Sequence, residues 1–193
     1  MGRSKSFDEE AVLDQALQLF WERGYEATSL SDLEAHLGLG RQSLYNTFGD
    51  KHELFLKALQ RYRQHFGEAA VAGLNAPDAG LDAIRDFFRW SVDFLTHSGP
   101  RRGCMIVNTI AELGPQDPDA LLHCTHAREV LERSFRRALT GAKARGEVSR
   151  NLDVEATATL LTAQNYGLVP MAKTGATAGE LNAAVEALLS RIQ

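Results

Sequence analysis

The chain is poor in the features that mark specialised scaffolds. Its 2 cysteines, Cys104 and Cys124, among 193 residues are too few for a disulfide framework and fit a reducing compartment. No apolar run approaches the roughly 18 residues that a bilayer crossing needs, and the N-terminus lacks a signal-peptide stretch, so the expectation is a cytoplasmic protein with no membrane partner. No Gly-x-Ser-x-Gly, phosphate-binding loop or dinucleotide fingerprint occurs, which leaves catalysis and cofactors without support. His123 and His126 could share a helix face and hold a metal, but no other ligand cluster joins them, and no metal is expected. Positive charge is scarce too: the formal net charge is −4, and residues 1–66 carry 8 Lys/Arg against 10 Asp/Glu. Composition alone therefore points to no polyanionic partner. Counterion release, however, counts local phosphate contacts rather than the total, and Arg3, Lys5, Arg41 and Lys51 can lie on one side.

What is present is an ordinary globular composition, 44% hydrophobic and 24% charged, laid out at helical spacing throughout. The pattern predicts an all-α chain of nine helices with no strand. Ser29 can cap a helix whose third position is Asp32, with Leu30, Leu33 and Leu37 on one face; Gly38 stops it. Gly40 is a weaker N-cap, and Arg41 through Phe48 continue helically with Leu44 and Phe48 inward. Arg41, Gln42, Ser43 and Asn46 are left outside. A guanidinium suits guanine, amides suit adenine and a hydroxyl is less selective, so this short helix fits a major groove.

The run from Gly38 to Leu54, GLGRQSLYNTFGDKHEL, resembles the helix-turn-helix of TetR/AcrR-family transcriptional regulators. The likeness rests on Tyr45 followed three residues later by Phe48, then a turn and Lys51 at the start of a fourth helix. Gly40 departs from it, standing where the family usually has a capping serine or threonine. The resemblance implies a homodimer, most often a repressor, that binds double-stranded operator DNA and leaves it when a small-molecule effector enters the C-terminal domain. Tyr45, Thr47 and Lys51 would hold phosphates, and Thr28 is placed in the same DNA-binding set. Pairing through the last two helices would present two reading helices about 34–36 Å apart, or somewhat more, to a palindromic site.

In chain order, Ser6 with Glu9 predicts a capping box for the first helix, whose buried stripe includes Val12, Ala16, Leu19 and Phe20 and which ends at Gly24. Asp50 with Glu53 opens the fourth helix. The cluster Gly73 to Gly80 marks a loop and domain boundary. Residues 1–50 are thus read as the DNA-binding domain, 50–68 as its connector and pivot, and 69–193 as the effector-binding and dimerisation domain. Leu81 to Leu95 form a wide aromatic face, from which Phe87, Trp90, Ser91 and Phe94 are candidates for an effector pocket. The helix from Gly103 to Leu113 is apolar nearly all round, which predicts enclosure.

Within that helix Asn108 and Glu112 share a face with Cys104. They line a ligand cavity, with Gln164 from a later helix, or they bond neighbouring helices; the sequence leaves both open. Cys104 follows Arg101 and Arg102 near a helix start, an arrangement that favours the thiolate and makes it a candidate redox sensor, against the alternative of an inert buried thiol. A long helix from about Asp119 to Arg145 is expected to turn Leu122, Val130, Leu131 and Phe135 inward. Asp153 and Thr177 cap the last two helices, the first of them disturbed by Gly167 and Pro170. The aromatic lining suggests an apolar or aromatic effector. From a different class, a helical small-molecule carrier or interaction module that does not use its motif on DNA is the competing reading; a salt-dependent complex with DNA separates the two.

Overall fold

Helix starts in this chain are set by side chains that take up the orphan N–H groups of a first turn. In the computed structural model, which describes residues 7–97 and 102–192, Ser29, Asp50 and Thr177 each accept from the backbone N–H three residues on. The carboxylates of Asp32, Glu53 and Glu180 accept in return from the caps' own N–H groups. Asp117 and Asp153 cap two further helices. The first helix starts at Asp8, whose carboxylate accepts from the N–H of Glu10 and Ala11. The box expected at Ser6 lies outside the described residues, as do Arg3, Lys5 and Arg101.

Nine helices follow in order among the described residues, and no strand. They are α1 (Glu9–Arg23), α2 (Leu30–Leu37) and α3 (Arg41–Phe48). Next comes α4, which runs as Lys51–Tyr62, loosens into a π-helical stretch at Arg63–Gly67 and resumes as Glu68–Val71. The remainder are α5 (Leu81–His97), α6 (Met105–Glu112), α7 (Pro118–Arg145), α8 (Val154–Lys173) and α9 (Ala178–Leu189). None of the described helices is long and apolar enough to cross a membrane.

Two hydrophobic cores result, and α4 belongs to the first along most of its length. The first packs Ala16, Phe20, Leu33, Leu44, Phe48, Phe55 and Leu59 from α1–α4, and it also takes Met105, Ile106 and Leu113 of the α6 region with Ala120 and Cys124 of α7. The second gathers Ile84, Phe88, Phe135, Leu139, Leu161, Leu168 and Leu181 from α5 and α7–α9. Spatially, then, the division does not follow residue 68, because α6 and the start of α7 pack against the N-terminal helices. The loop at 73–80 is also packed: Leu74 is fully buried, and the Asn75 amide donates to Ser134 Oγ at 3.1 Å.

Two expectations are corrected here. Helix α6 is not enclosed all round: Ile110, Ala111 and Glu112 are exposed, because only one side meets α4 and α7. Leu122 does not point inward but is 68% exposed. Pro170 lies in the last turn of α8, which continues to Lys173, and its missing N–H and ring fall on an exposed side.

Phe135 is fully buried in the second core, edge-on to Phe87 at 5.0 Å and stacked on Phe88 at 5.7 Å. Phe135→Ala should lower the unfolding free energy by about 3–5 kcal/mol. Urea denaturation checks this, with the midpoint falling and the slope unchanged.

Candidate nucleic-acid interface and ligand cavity

Gly38 adopts φ 64°, a left-handed turn that only glycine makes cheaply, and it swings the chain from α2 into α3. Helix α3 then buries Leu44 and Phe48 and leaves Arg41, Gln42, Ser43, Tyr45 and Asn46 exposed, with Thr47 half-buried. Gly40 caps it without any side-chain bond, so its first turn keeps free N–H groups. Two side-chain pairs hold the exposed face in shape. Arg41 Nε donates to Glu34 Oε1 at 2.8 Å, and Gln42 Nε2 donates to Asn46 Oδ1 at 2.9 Å. The second pair leaves the Gln42 carbonyl and the Asn46 amide N–H groups directed to other partners, an acceptor and donors of the kind that adenine matches.

At the start of α4, Lys51 places its ammonium 4.2 Å from the centre of the Tyr25 ring. Lys57 donates to the Phe48 carbonyl at 2.7 Å and so closes the C-terminal end of α3. Thr28 leaves the predicted set. It is fully buried, and its hydroxyl donates to the Gly24 carbonyl at 2.6 Å, which makes it a brace for the α1–α2 turn and not a surface donor.

The second site is a cavity of about 170 Å³. It lies among the π-helical stretch of α4, α5, the start of α6, α7 and α8. Phe87, Trp90, Ser91, Phe94 and Cys104 line it together with Tyr62, Phe66, Asn165 and Tyr166. Gln164 is not on the wall; the next residue, Asn165, takes its place, and Ser91 Oγ donates to Asn165 Oδ1 at 2.7 Å. One residue is about 100° of helix rotation, so a face assigned from spacing alone errs easily by one.

Asn108 and Glu112 also lie elsewhere. The Asn108 amide donates to the Arg102 carbonyl at 2.7 Å, and its oxygen accepts from Lys173 at 3.1 Å. Glu112 reaches back to the N-terminal helices, where its carboxylate accepts from the N–H of Tyr25 at 3.1 Å and of Glu26 at 2.8 Å. That dock needs a glycine at position 24: φ is 88°, and a Cβ there would stand 2.8 Å from the Glu112 oxygens. Nearby, His52 Nε2 and Asp117 Oδ2 are 2.8 Å apart. Burial opposes ionisation of Asp117, but the Ala120 N–H and His52 outweigh it and hold the carboxyl below its usual range. Apart from the Asn108–Arg102 bond, six residues apart, these partnerships were not visible in the sequence, since each joins residues more than 60 positions apart.

Of the two cysteines, Cys124 is buried, and burial pushes its thiol up to about 12. Any thiol chemistry therefore falls to Cys104, which is partly exposed on the cavity wall. Arg102 engages Gln18 and lies over the Trp21 ring, while Arg101 is outside the described residues. His123 Nδ1 is 3.1 Å from Arg63 Nη1, and no group of three or more potential metal ligands gathers among the described residues.

Residues 12–58 match the profile of bacterial regulatory proteins of the tetR family, and residues 80–188 match that of the tetracyclin repressor-like C-terminal domain. The chain belongs to the TetR family. It is 38% identical over 191 residues to the HTH-type transcriptional regulator YezE of Bacillus subtilis strain 168, covering 98% of each chain. It is 33% identical over 181 residues to the HTH-type transcriptional repressor ComR of Escherichia coli K12, covering 93% of this chain and 86% of that one. Among solved structures, a cysteine mutant of the TetR-family regulator CifR, complexed with 26-bp double-strand operator DNA, superposes with a TM-score of 0.86 at 30% identity over 100% of both chains.

This TetR-family chain is accordingly a DNA-binding transcriptional regulator and not an enzyme. Arg41 on α3 and Lys51 at the start of α4 allow a test of how base reading and phosphate contact are divided. For Arg41→Ala we expect relaxed preference at one base position and a loss of about 1–3 kcal/mol, whereas Lys51→Ala should weaken all sequences alike. Quantitative gel shifts on a set of single-base operator variants distinguish the two; equal, sequence-independent losses from both would refute the division.

Proposed function

We propose that the protein is a homodimeric repressor that holds a palindromic operator through α3 and is released when a small molecule fills the cavity behind α4. The observation that carries this reading is the position of α4 itself. Its first residue, Lys51, stands beside the reading helix, and its π-helical stretch forms one wall of the cavity. A ligand that changes the packing at 62–67 therefore acts on the same helix that supports α3. Arg41, Gln42, Ser43 and Asn46 discriminate bases in this reading, and Tyr45, Thr47 and Lys51 hold phosphates. Residues 1–50 serve as the reading head, the fourth helix as pivot and 69–193 as the sensing and pairing part.

The ligand must favour a spacing of the two heads that the operator does not accept, because equal affinity for both states shifts nothing. Two N-terminal contacts, Glu112 with the 25–26 backbone and His52 with Asp117, are the ones such a movement has to stretch or break. The repressor ComR and the operator complex of CifR support the sign and the target of the activity.

Support for pairing comes from α8. Ala156, Leu160, Ala163, Gly167 and Met171 recur at three- and four-residue steps, and all of them are exposed, Leu160 at 50% and Met171 at 43%. On α9, Gly179, Ala183 and Ala187 add a second row of small exposed residues. Rows of small and apolar side chains allow two copies to approach closely, as a symmetric interface needs. Ala163→Arg should yield a monomer by sedimentation with unchanged helicity. Its affinity for the full operator should fall by roughly 10²-fold or more, since the two half-sites would no longer be joined. A dimeric Ala163→Arg variant with unaltered binding would overturn the assignment of this face.

A further inference from the structure

The aromatic cavity carries one group that a purely apolar effector leaves unexplained. Arg63 opens the π-helical stretch of α4 and lines the cavity with its guanidinium partly buried. Nine other arginines have a described ion pair with a carboxylate; Arg61, two residues away, takes both Asp14 and Glu10. Among the described residues no carboxylate stands within ion-pair range of Arg63. Glu68, exposed at the edge of the cavity, acts on it only from farther off. The partner that Arg63 does have is His123 Nδ1 at 3.1 Å. Burial first, and the Arg63 charge next, hold that imidazole below its ordinary value, so it accepts as a neutral group and offsets no charge.

The other acceptor-bearing side chains on the wall, Gln64, Glu68 and His126, are exposed to solvent. The Asn165 oxygen is taken by Ser91, which leaves the amide N–H groups, and burial keeps Tyr166 a phenol and hence a donor. A partly desolvated cation without a counter-charge is costly, and an anion from solution removes that cost. The shape narrows the choice. A guanidinium fork donates two parallel bonds to a planar carboxylate, and a cavity of about 170 Å³ is close to the ~150 Å³ that holds one benzene ring.

We propose that the effector is a small aromatic carboxylic acid, its ring seated among Phe87, Trp90 and Phe94 and its carboxylate taken by Arg63. This rests on the reading of the cavity as the effector site and adds the chemical class. It also gives the ligand a direct hold on α4, roughly 18 Å of helix from Lys51 at about 1.5 Å per residue.

The test uses the full-length protein and two probes of one shape, benzoate and benzamide. Binding is followed by calorimetry, and release by anisotropy of a labelled duplex taken from the DNA flanking its own gene. Benzoate should bind and release the duplex, with benzamide about tenfold weaker or worse, as the loss of charge-assisted bonds implies. In Arg63→Gln, benzoate should fall to the level of benzamide while benzamide is unchanged. Equal affinities in the unaltered protein, or a preference for benzoate that survives Arg63→Gln, would overturn the proposal. Should benzamide alone bind and release DNA, the acid is wrong and the cavity reading stands; should neither ring bind, both fail. Thermal unfolding shows whether Arg63→Gln is folded, and if it is not, the comparison of the two probes on the unaltered protein decides.

Discussion

Trp21 donates its indole N–H to the Gly103 carbonyl at 2.9 Å, while its ring lies edge-on to Tyr62 and Phe66 and stacks on Phe94. This one side chain of α1 therefore touches α4, α5 and the entry to α6, and it is the joint through which the reading head meets the sensing part. Indole is suited to the task because it buries a large apolar area and still has one polar atom to satisfy. The Gly103 carbonyl precedes the first turn of α6, so the bond also fixes where that helix begins. Two polar contacts join the same parts of the molecule, Glu112 with the 25–26 backbone and His52 with Asp117.

Those contacts differ in how they would respond to a shift of α4. Glu112 accepts two backbone N–H bonds across 86 and 87 positions of sequence, a pairing that is either made or lost. The aromatic faces can slide by fractions of an ångström with little loss, since dispersion contacts are many and individually weak. A packed joint with one all-or-none latch tends to have two arrangements rather than a continuum, which is what a regulator needs from a connecting region. The π-helical stretch adds slack where the cavity abuts α4. An extra residue in a turn weakens the regular bonding there, and such stretches recur at functional sites for that reason.

Much of this was legible in the sequence wherever the signal was local. Capping boxes at Ser29, Asp50 and Thr177 fixed three helix starts because cap and partner lie three residues apart. The reading face of α3 followed from Leu44 and Phe48 as its back. The misses share a different cause. Thr28 looked like a surface group, and for Glu112 and Asn108 a cavity and bonds to neighbouring helices both stood open; each is committed to a partner set by packing. Leu122 was judged by its hydrophobicity, although an exposed apolar residue is ordinary and only its neighbours decide its place. The family resemblance covered the first third of the chain well; the cavity became visible only when α4, α5, α7 and α8 were brought together.

A reading head with more acidic than basic residues still has to meet a polyanion, and the way its charges are arranged explains how. Asp14 and Glu10 are occupied by Arg61, and the Arg61 guanidinium holds the Asp14 carboxyl below its usual range. Asp32 is held by Ser29 and Arg23, and Glu34 by Arg41. Four of the 10 acidic residues in residues 1–66 are thus paired with the protein's own side chains, which reduces the repulsion a phosphate would meet without adding positive charge. Long-range attraction remains weak in such an arrangement, so encounter is slower than for a strongly basic head. What compensates is order at contact. With Arg41 braced on Glu34 and Gln42 on Asn46, less side-chain freedom is lost on docking, and in the proposed reading discrimination rests on whether a base edge offers better partners than these pairs already have.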